Sequence, residues 1–438
     1  MNIEKKLVPL LRFPAFQQNE EWKEQKFGSL FSFLPNNTLS RADIKEGKGD
    51  VYNVHYGDVL IKLNSYTDIQ QGKLPAIKTV NDIDKYLKAR LQDGDIVIAD
   101  TAEDEAVGKC TEIVNVHDTI VVSGLHTIPC RPQIKFAQAY LGYYINSNAF
   151  HSKLLPIMQG VKVTSISKTA LQNIDLVYPE SLEEQKKIAE CLSSIDAYIF
   201  SINEKVEQLK AHKKSLLQKL FPQRGQTVPE YRFPEFKDSK GWEEKLLGDI
   251  FKRITNKNIT NNQNVLTISA QYGLVSQYDY FHKSVAASDL SNYYLLKKGD
   301  FAYNKSRSQG YPYGAIKPLR LYDEGVVSTL YICFRIRRCD FVDTFFEYYF
   351  ETELINEEIG KIAQEGARNH GLLNISTDDF FNKVVLLVPS PSEQKVIAEC
   401  LSSLDRTIRL YSEKVSRLEQ HKKGLMQQLF PKVKKLKK

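Results

Sequence analysis

No Cys-x-x-Cys pair occurs in this chain, and no histidine cluster stands beside any of its six cysteines, at 110, 130, 191, 333, 339 and 400. That pattern excludes structural zinc, whose ligands come at short, paired spacings. Nor is there a long apolar run of membrane-spanning length, or an N-terminus that goes from positive to apolar as an export signal does. The expectation is a cytoplasmic protein with reduced thiols and no membrane association. An excess of one charge is also nearly lacking. Sixty Lys and Arg face 53 Asp and Glu, a formal +7, which is compatible with nucleic acid but does not demand it.

Catalytic signatures are missing as well. Gly108-Lys109 lacks the upstream glycine and following hydroxyl of a phosphate loop. There is no Asn/Asp-Pro-Pro-Tyr/Phe element of an adenine methyltransferase and no glycine-rich loop for its methionine-derived cofactor. Asp238 with Glu243-x-Lys245 has the letters of a nuclease site but no hydrophobic strand context, and reads as a charged surface turn.

What the chain does have is a duplication. Glu184-Gln185-Lys186 and Ile188-Ala189-Glu190-Cys191-Leu192-Ser193-Ser194 recur 209 residues later as Glu393-Gln394-Lys395 and Ile397-Ala398-Glu399-Cys400-Leu401-Ser402-Ser403. His212-Lys213-Lys214 and Leu220-Phe221-Pro222 recur as His421-Lys422-Lys423 and Leu429-Phe430-Pro431. Between 184–222 and 393–431, 24 of 39 positions are identical, which makes a duplicated unit the organising fact. A second repeat frames the first at an offset of 220: Arg12-Phe13-Pro14, Phe16, Trp22 and Gly28 return as Arg232-Phe233-Pro234, Phe236, Trp242 and Gly248. The stretches between are more divergent, although Gly94-Asp95 matches Gly299-Asp300 and Val121-Val122-Ser123 matches Val326-Val327-Ser328.

The repeated segments read as long helices. Ser181 with Glu184 and Ser390 with Glu393 have capping-box spacing, Pro391 suits a first helical position, and the residue before Pro222 or Pro431 is pushed out of helical geometry. Ile188, Leu192, Ile195 and Ile199, and likewise Ile397, Leu401, Leu404 and Ile408, step by four and three. The seam continues for five heptads, which predicts helix-on-helix pairing as a coiled coil. One polar residue interrupts each seam, Lys213 and Lys422. It either fixes register or snorkels out.

The stretches between read as mixed α/β (α+β) domains of about 150 residues, an ordinary domain size. Strands are expected at Val59-Leu60-Ile61, 95–99, Ile120-Val121-Val122, 326–336, 174–178 and 384–388, and helices at 135–146 and 341–360.

In this order of elements the chain resembles the specificity subunits of type I restriction–modification systems. The Glu-Gln-Lys-x-Ile-Ala-Glu helix starts, the Leu-Phe-Pro ends and the Arg-Phe-Pro-x-Phe…Trp lead-ins carry the likeness over essentially the whole length. The resemblance implies a pseudo-two-fold duplicated chain. Its parts are target-recognition domains with lead-ins at 1–178 and 223–388, helices at 179–222 and 389–431 pairing as an antiparallel coiled coil, and a basic tail at 432–438. It implies that each recognition domain reads one half of a bipartite site in double-stranded DNA. The helices set the spacer and bind two methyltransferase (modification) subunits, and restriction (nuclease–translocase) subunits join for cleavage. This chain would then hold no cofactor, and S-adenosylmethionine, ATP and Mg2+ would belong to its partners. The competing reading is a coiled-coil scaffold without base-specific DNA contact.

Candidate DNA contacts follow from residue type. Glycine lets backbone approach phosphate closely, and Arg and Asn have the donor patterns for guanine and adenine edges. Residues 364–371 include Arg368, Asn369 and His370 between two glycines, and residues 159–164 include Lys162 and Thr164 after Gly160. A second candidate, 304–311, offers Lys305, Ser306, Arg307 and Gln309. Its first-half counterpart, 100–105, is acidic, so Lys62, Asn64 and Tyr66 are expected to serve there. The tail at 432–438 is either a phosphate contact or a solvated end.

Overall fold

The two framing repeats recur together because each supplies half of one buried cluster. The computed structural model of the chain describes residues 7–103, 105–160, 162–269, 273–281, 289–308, 310–363, 371 and 373–431. They fall into two units by internal contact, Met1–Asn203 with Glu413–Lys438, and Glu204–Ser412. In the first, Arg12 grips Glu184 with two prongs of 2.8 Å, and Trp22 Nε1 donates to the same carboxylate at 3.2 Å. In the second, Arg232 grips Glu393 at 2.8 and 2.7 Å, with Trp242 at 3.3 Å. Both carboxylates are 1% exposed, and a charge buried that deeply requires its partner.

The capping boxes are therefore only half formed. The hydroxyls of Ser181 and Ser390 accept from the backbone N–H of Glu184 and Glu393, each at 3.3 Å. The glutamates turn to arginine instead of returning a bond. The next residue ties helix to domain. Gln185 accepts from Ala137 N–H and donates to the Pro179 carbonyl, and Gln394 does the same with Val342 and Pro389.

Each unit holds a sheet of the same strand order. In the first, Phe31–Phe33, Thr127–Pro132, Ile96–Ala99, Cys110–Val114 and Tyr66–Asp68 lie side by side, the last pair parallel. In the second, Phe251–Arg253, Ile332–Ile336, Phe301–Asn304 and Ala315–Pro318 repeat the first four. The Gly-Asp trace marks a shared ion pair between two neighbouring interior strands: Arg131 with Asp95 at 2.7 Å, and Arg335 with Asp300 at 2.5 Å. The units differ beyond this sheet. The first adds Ile120–Ser123, Val51–Val54, Ala76–Ile77 and Ile44–Lys45 as a second sheet, where the second has two separate antiparallel strand pairs.

The last strands before the long helices are Asp175–Tyr178 and Val385–Val388, each antiparallel to a lead-in strand. One of those partners is Glu243–Leu246, so Glu243 and Lys245 sit on an exposed strand and not in a turn. Val59-Leu60-Ile61 is helical, within Tyr56–Ile61, because His55 Nδ1 caps the Gly57 N–H at 3.2 Å. Three apolar residues are too few to show a period. Residues 326–336 form two strands, parted where the Ser328 carbonyl accepts from Tyr331.

The long helices span Leu182–Leu220 and Pro391–Leu429. In the first unit, Ile188 and Leu192 share a core with Leu429 and Phe430. In the second, Ile397 and Leu401 share one with Leu220 and Phe221. Start meets end in each, so the pairing is antiparallel. Ile195, Ile199, Leu404 and Ile408 continue the seam half-buried. The Leu-Phe-Pro ends work as plugs: Phe430 stands 6.0 and 5.4 Å from the Tyr140 and Tyr144 rings, and Phe221 5.7 and 5.5 Å from Trp242 and Phe345. Among the described residues no helix is long and apolar enough to cross a membrane.

Candidate nucleic-acid interface

Two polar loops far apart in sequence meet in each unit, at the same place on the shared sheet. In the second unit the chain leaves strand Phe301–Asn304 and enters the Lys305 loop. The Lys305 carbonyl accepts from Leu373 N–H at 3.0 Å, and Arg307 N–H donates to the Gly371 carbonyl at 2.8 Å. Asn304 Oδ1 accepts from Ser306 N–H at 3.0 Å, and Tyr303 closes the base of the loop by donating to the Tyr313 carbonyl at 2.7 Å. The loop at 304–311 is thus seated beside the end of 364–371. Arg307 and Ser306 are exposed and Lys305 is half-buried. Burial pulls the Lys305 ammonium pKa down, so it gains from a phosphate that replaces lost water. Gln309, Arg368, Asn369 and His370 lie outside the described residues, as do Asp104, Val161 and the tail at 432–438.

The first unit repeats this arrangement after strand Ile96–Ala99. The Asp100 carbonyl accepts from Ile166 N–H at 2.9 Å, and Thr101–Ala102 pairs antiparallel with Thr164–Ser165. Gln159 and Ser165 exchange backbone bonds of 3.0 and 2.8 Å, which makes a closed loop with Lys162 exposed on it. Gly160 serves this closure: its φ is +110°, and a Cβ there would stand 1.9 Å from the Val163 carbonyl oxygen. Thr164 Oγ1 bonds the Ala102 carbonyl at 3.3 Å. The acidic loop, in whose place Lys62, Asn64 and Tyr66 are expected to serve, is therefore paired with the loop that carries Lys162, and Glu103 and Glu105 on it are exposed.

Lys62, Asn64 and Tyr66 are placed elsewhere. They line a cleft of about 290 Å³ with Lys73 and, from the first long helix, Asp196 and Phe200. Lys62 is held by Glu46 at 3.1 Å and Asp58 at 3.5 Å, and burial raises the Tyr66 phenol pKa. Asn64 also borders an adjoining cavity of about 800 Å³ with Asn146, Asn203 and Lys422. The residues of this region that sequence reasoning missed are Tyr143 and Asp196, which meet at 2.7 Å. The repeat itself held the signal, since Asp196 matches Asp405 at the 209 offset.

The arrangement offers exposed donors on paired loops, one set per unit. A family model described as the type I restriction modification DNA specificity domain matches residues 19–211 and again 239–420. The putative type I restriction enzyme MjaX specificity subunit of Methanocaldococcus jannaschii is 23% identical over 437 residues, 94% of this chain and 93% of its own. The MjaVIII specificity subunit of the same organism is 27% identical over 295 residues, 62% of this chain and 65% of its own. Among solved structures, the type I restriction–modification S subunit from M. genitalium shares the fold with a TM-score of 0.53 at 14% identity, over 97% of this chain and 99% of that one. A chain from a structure of a type I R-M system, described for its complex assembly and conformational transition, gives 0.51 at 15% identity, over 93% and 97%.

Proposed function

Since the chain belongs to the type I restriction–modification DNA specificity family, we propose that it is the sequence-reading, non-catalytic subunit of such a system, with one half of a bipartite DNA site read by each half of the chain. The observation that carries this reading is the loop pair repeated on the same sheet in both units, around Lys162 and around Lys305 to Arg307. A duplicated reader with diverged loops suits two different half-words joined in one target. Direct base readout needs such exposed donors in the groove, while phosphate contacts position them.

The recognition domains are 1–178 and 223–388, and the helices 179–222 and 389–431 set the spacer and recruit two modification subunits. Restriction subunits join the same complex. S-adenosylmethionine, ATP and Mg2+ act on those partners, in the cytoplasm. In the second domain Lys305, Ser306 and Arg307 contact DNA together with Gln309, Arg368, Asn369 and His370. In the first, Lys162 and Thr164 do so, and Lys62, Asn64 and Tyr66 form a separate contact. The basic tail adds phosphate attraction. A scaffold that never touches bases is not favoured by the family match.

The test is the adenine-methylation pattern of cells with and without the gene. A bipartite motif that vanishes on deletion is expected. An unchanged pattern, with the partner subunits present, refutes the reading.

A further inference from the structure

The geometry points to a twin register lock, Tyr143–Asp196–Lys422 in one unit and Tyr348–Asp405–Lys213 in the other, that holds the target to a single spacer length. It deepens the proposal that the helices set the spacer and rests on it.

Lys422 Nζ lies 2.6 and 2.7 Å from the two Asp196 carboxylate oxygens, and Tyr143 donates its hydroxyl to Asp196 Oδ2 at 2.7 Å. The same ammonium stands 5.2 Å from the Tyr143 ring centre. In the other unit Lys213 Nζ lies 2.6 Å from Asp405 Oδ1, Tyr348 donates to Asp405 Oδ2 at 2.7 Å, and the ammonium stands 5.2 Å from that ring. Each cluster joins three elements: one long helix gives the aspartate, the other the lysine, and the globular part gives the tyrosine, from helix Tyr140–Ile145 or Asp343–Tyr349. Pairs such as Lys210 with Glu207 lie within one helix and fix nothing between elements.

The spacing makes the two clusters one device. Asp196 and Lys213 are 17 residues apart, and so are Asp405 and Lys422. Because the helices run antiparallel, a single register closes both clusters and a slip opens both. An apolar heptad seam is itself nearly indifferent to a slip of one heptad, about 10 Å, which leaves the Phe221 and Phe430 plugs and the charged clusters to resist it. The lysines are not indifferent. After such a slip Lys422 meets Ala189 or Asn203, and Lys213 meets Ala398 or Ser412. No carboxylate waits at any of the four. The tyrosine extends the control, since the carboxylate that fixes register also fixes how the recognition domain sits on its helices. These are positioning residues, acting on DNA only through the domain they hold.

The experiment compares methylation motifs in cells that make the full chain together with its modification subunits. Two deletions remove seven residues from each helix and keep the seam in phase. Deleting 199–205 with 408–414 retains both aspartates and both lysines, and deleting 195–201 with 404–410 removes Asp196 and Asp405. A third chain carries Lys213→Met and Lys422→Met, apolar residues suited to a seam. The lock-retaining deletion is expected to give one shorter spacer. The lock-less deletion and the Lys→Met chain should keep both half-words but spread methylation over neighbouring spacer lengths. The proposal is overturned if the Lys→Met chain, folded and active, keeps the single wild-type spacer. It is equally overturned if the two deletions are equally strict. A wild-type chain without any bipartite motif instead refutes the functional reading beneath it.

Discussion

Glu112 shows what a single buried side chain settles. It is 1% exposed, and its carboxylate accepts from Ala139 and Gly142 N–H at 2.7 and 2.9 Å, at the start of helix Tyr140–Ile145. Burial outweighs these donors and pushes its pKa up to about 7. A carboxyl raised above its unfolded value stabilises the fold most while protonated, and that contribution is lost as pH rises from the unfolded value through about 7. Glu112→Gln does not titrate. Its stability relative to wild type should therefore rise by up to about 3 kcal/mol between pH 5 and pH 8, read by denaturant melts. No difference in slope between the two proteins contradicts this. Arg307 tests the interface at the same scale. It is exposed, so Arg307→Ala should leave stability within about 0.5 kcal/mol. It should relax only the half-word read by the second domain, by roughly 1–3 kcal/mol if the guanidinium forks onto a base. A methylation motif unchanged in both halves would remove Arg307 from the interface.

At the scale of elements, the buried Arg12–Glu184 contact makes the helix start and the lead-in one structure. Arg12→Met strands a carboxylate that is 1% exposed and should cost about 3–5 kcal/mol, seen as a lower melting temperature. Lys23→Ala breaks an exposed ion pair with Glu180 and should leave the melting temperature in place. Equal effects would deny the Arg12 contact its structural role. The long helices and their seam were legible in the sequence because a heptad is a local, repeated signal. The strand order was not, and Val59 to Ile61 was misread, since short apolar runs take their structure from what packs on them. The loop pairs of the interface escaped for the same reason. Nothing local ties Arg307 to Gly371, or Asp100 to Ile166, until the sheet brings their backbones together.

For the whole molecule, an address reader without a motor or a transferase centre should be silent alone. Pure protein with DNA and labelled S-adenosylmethionine is expected to transfer no methyl group above background, and transfer at a rate resembling a complete enzyme would refute the non-catalytic reading. The Leu429-Phe430 plug has a further consequence, in time. Those two side chains, 1% exposed, complete the core built on Tyr140 and Tyr144. During synthesis the first unit is made first, yet its core waits for residue 430. At about 5–20 residues per second the delay after residue 203 is roughly 10–45 s. The second unit, Glu204–Ser412, has its own plug at Leu220 and Phe221 early in its span, so it closes sooner. A released chain that ends at Ser412 should resist protease in the second unit and be cut in the first. The half born earlier is the half that folds last, and only a chain that ends between residues 412 and 429 should keep its second half closed without its first.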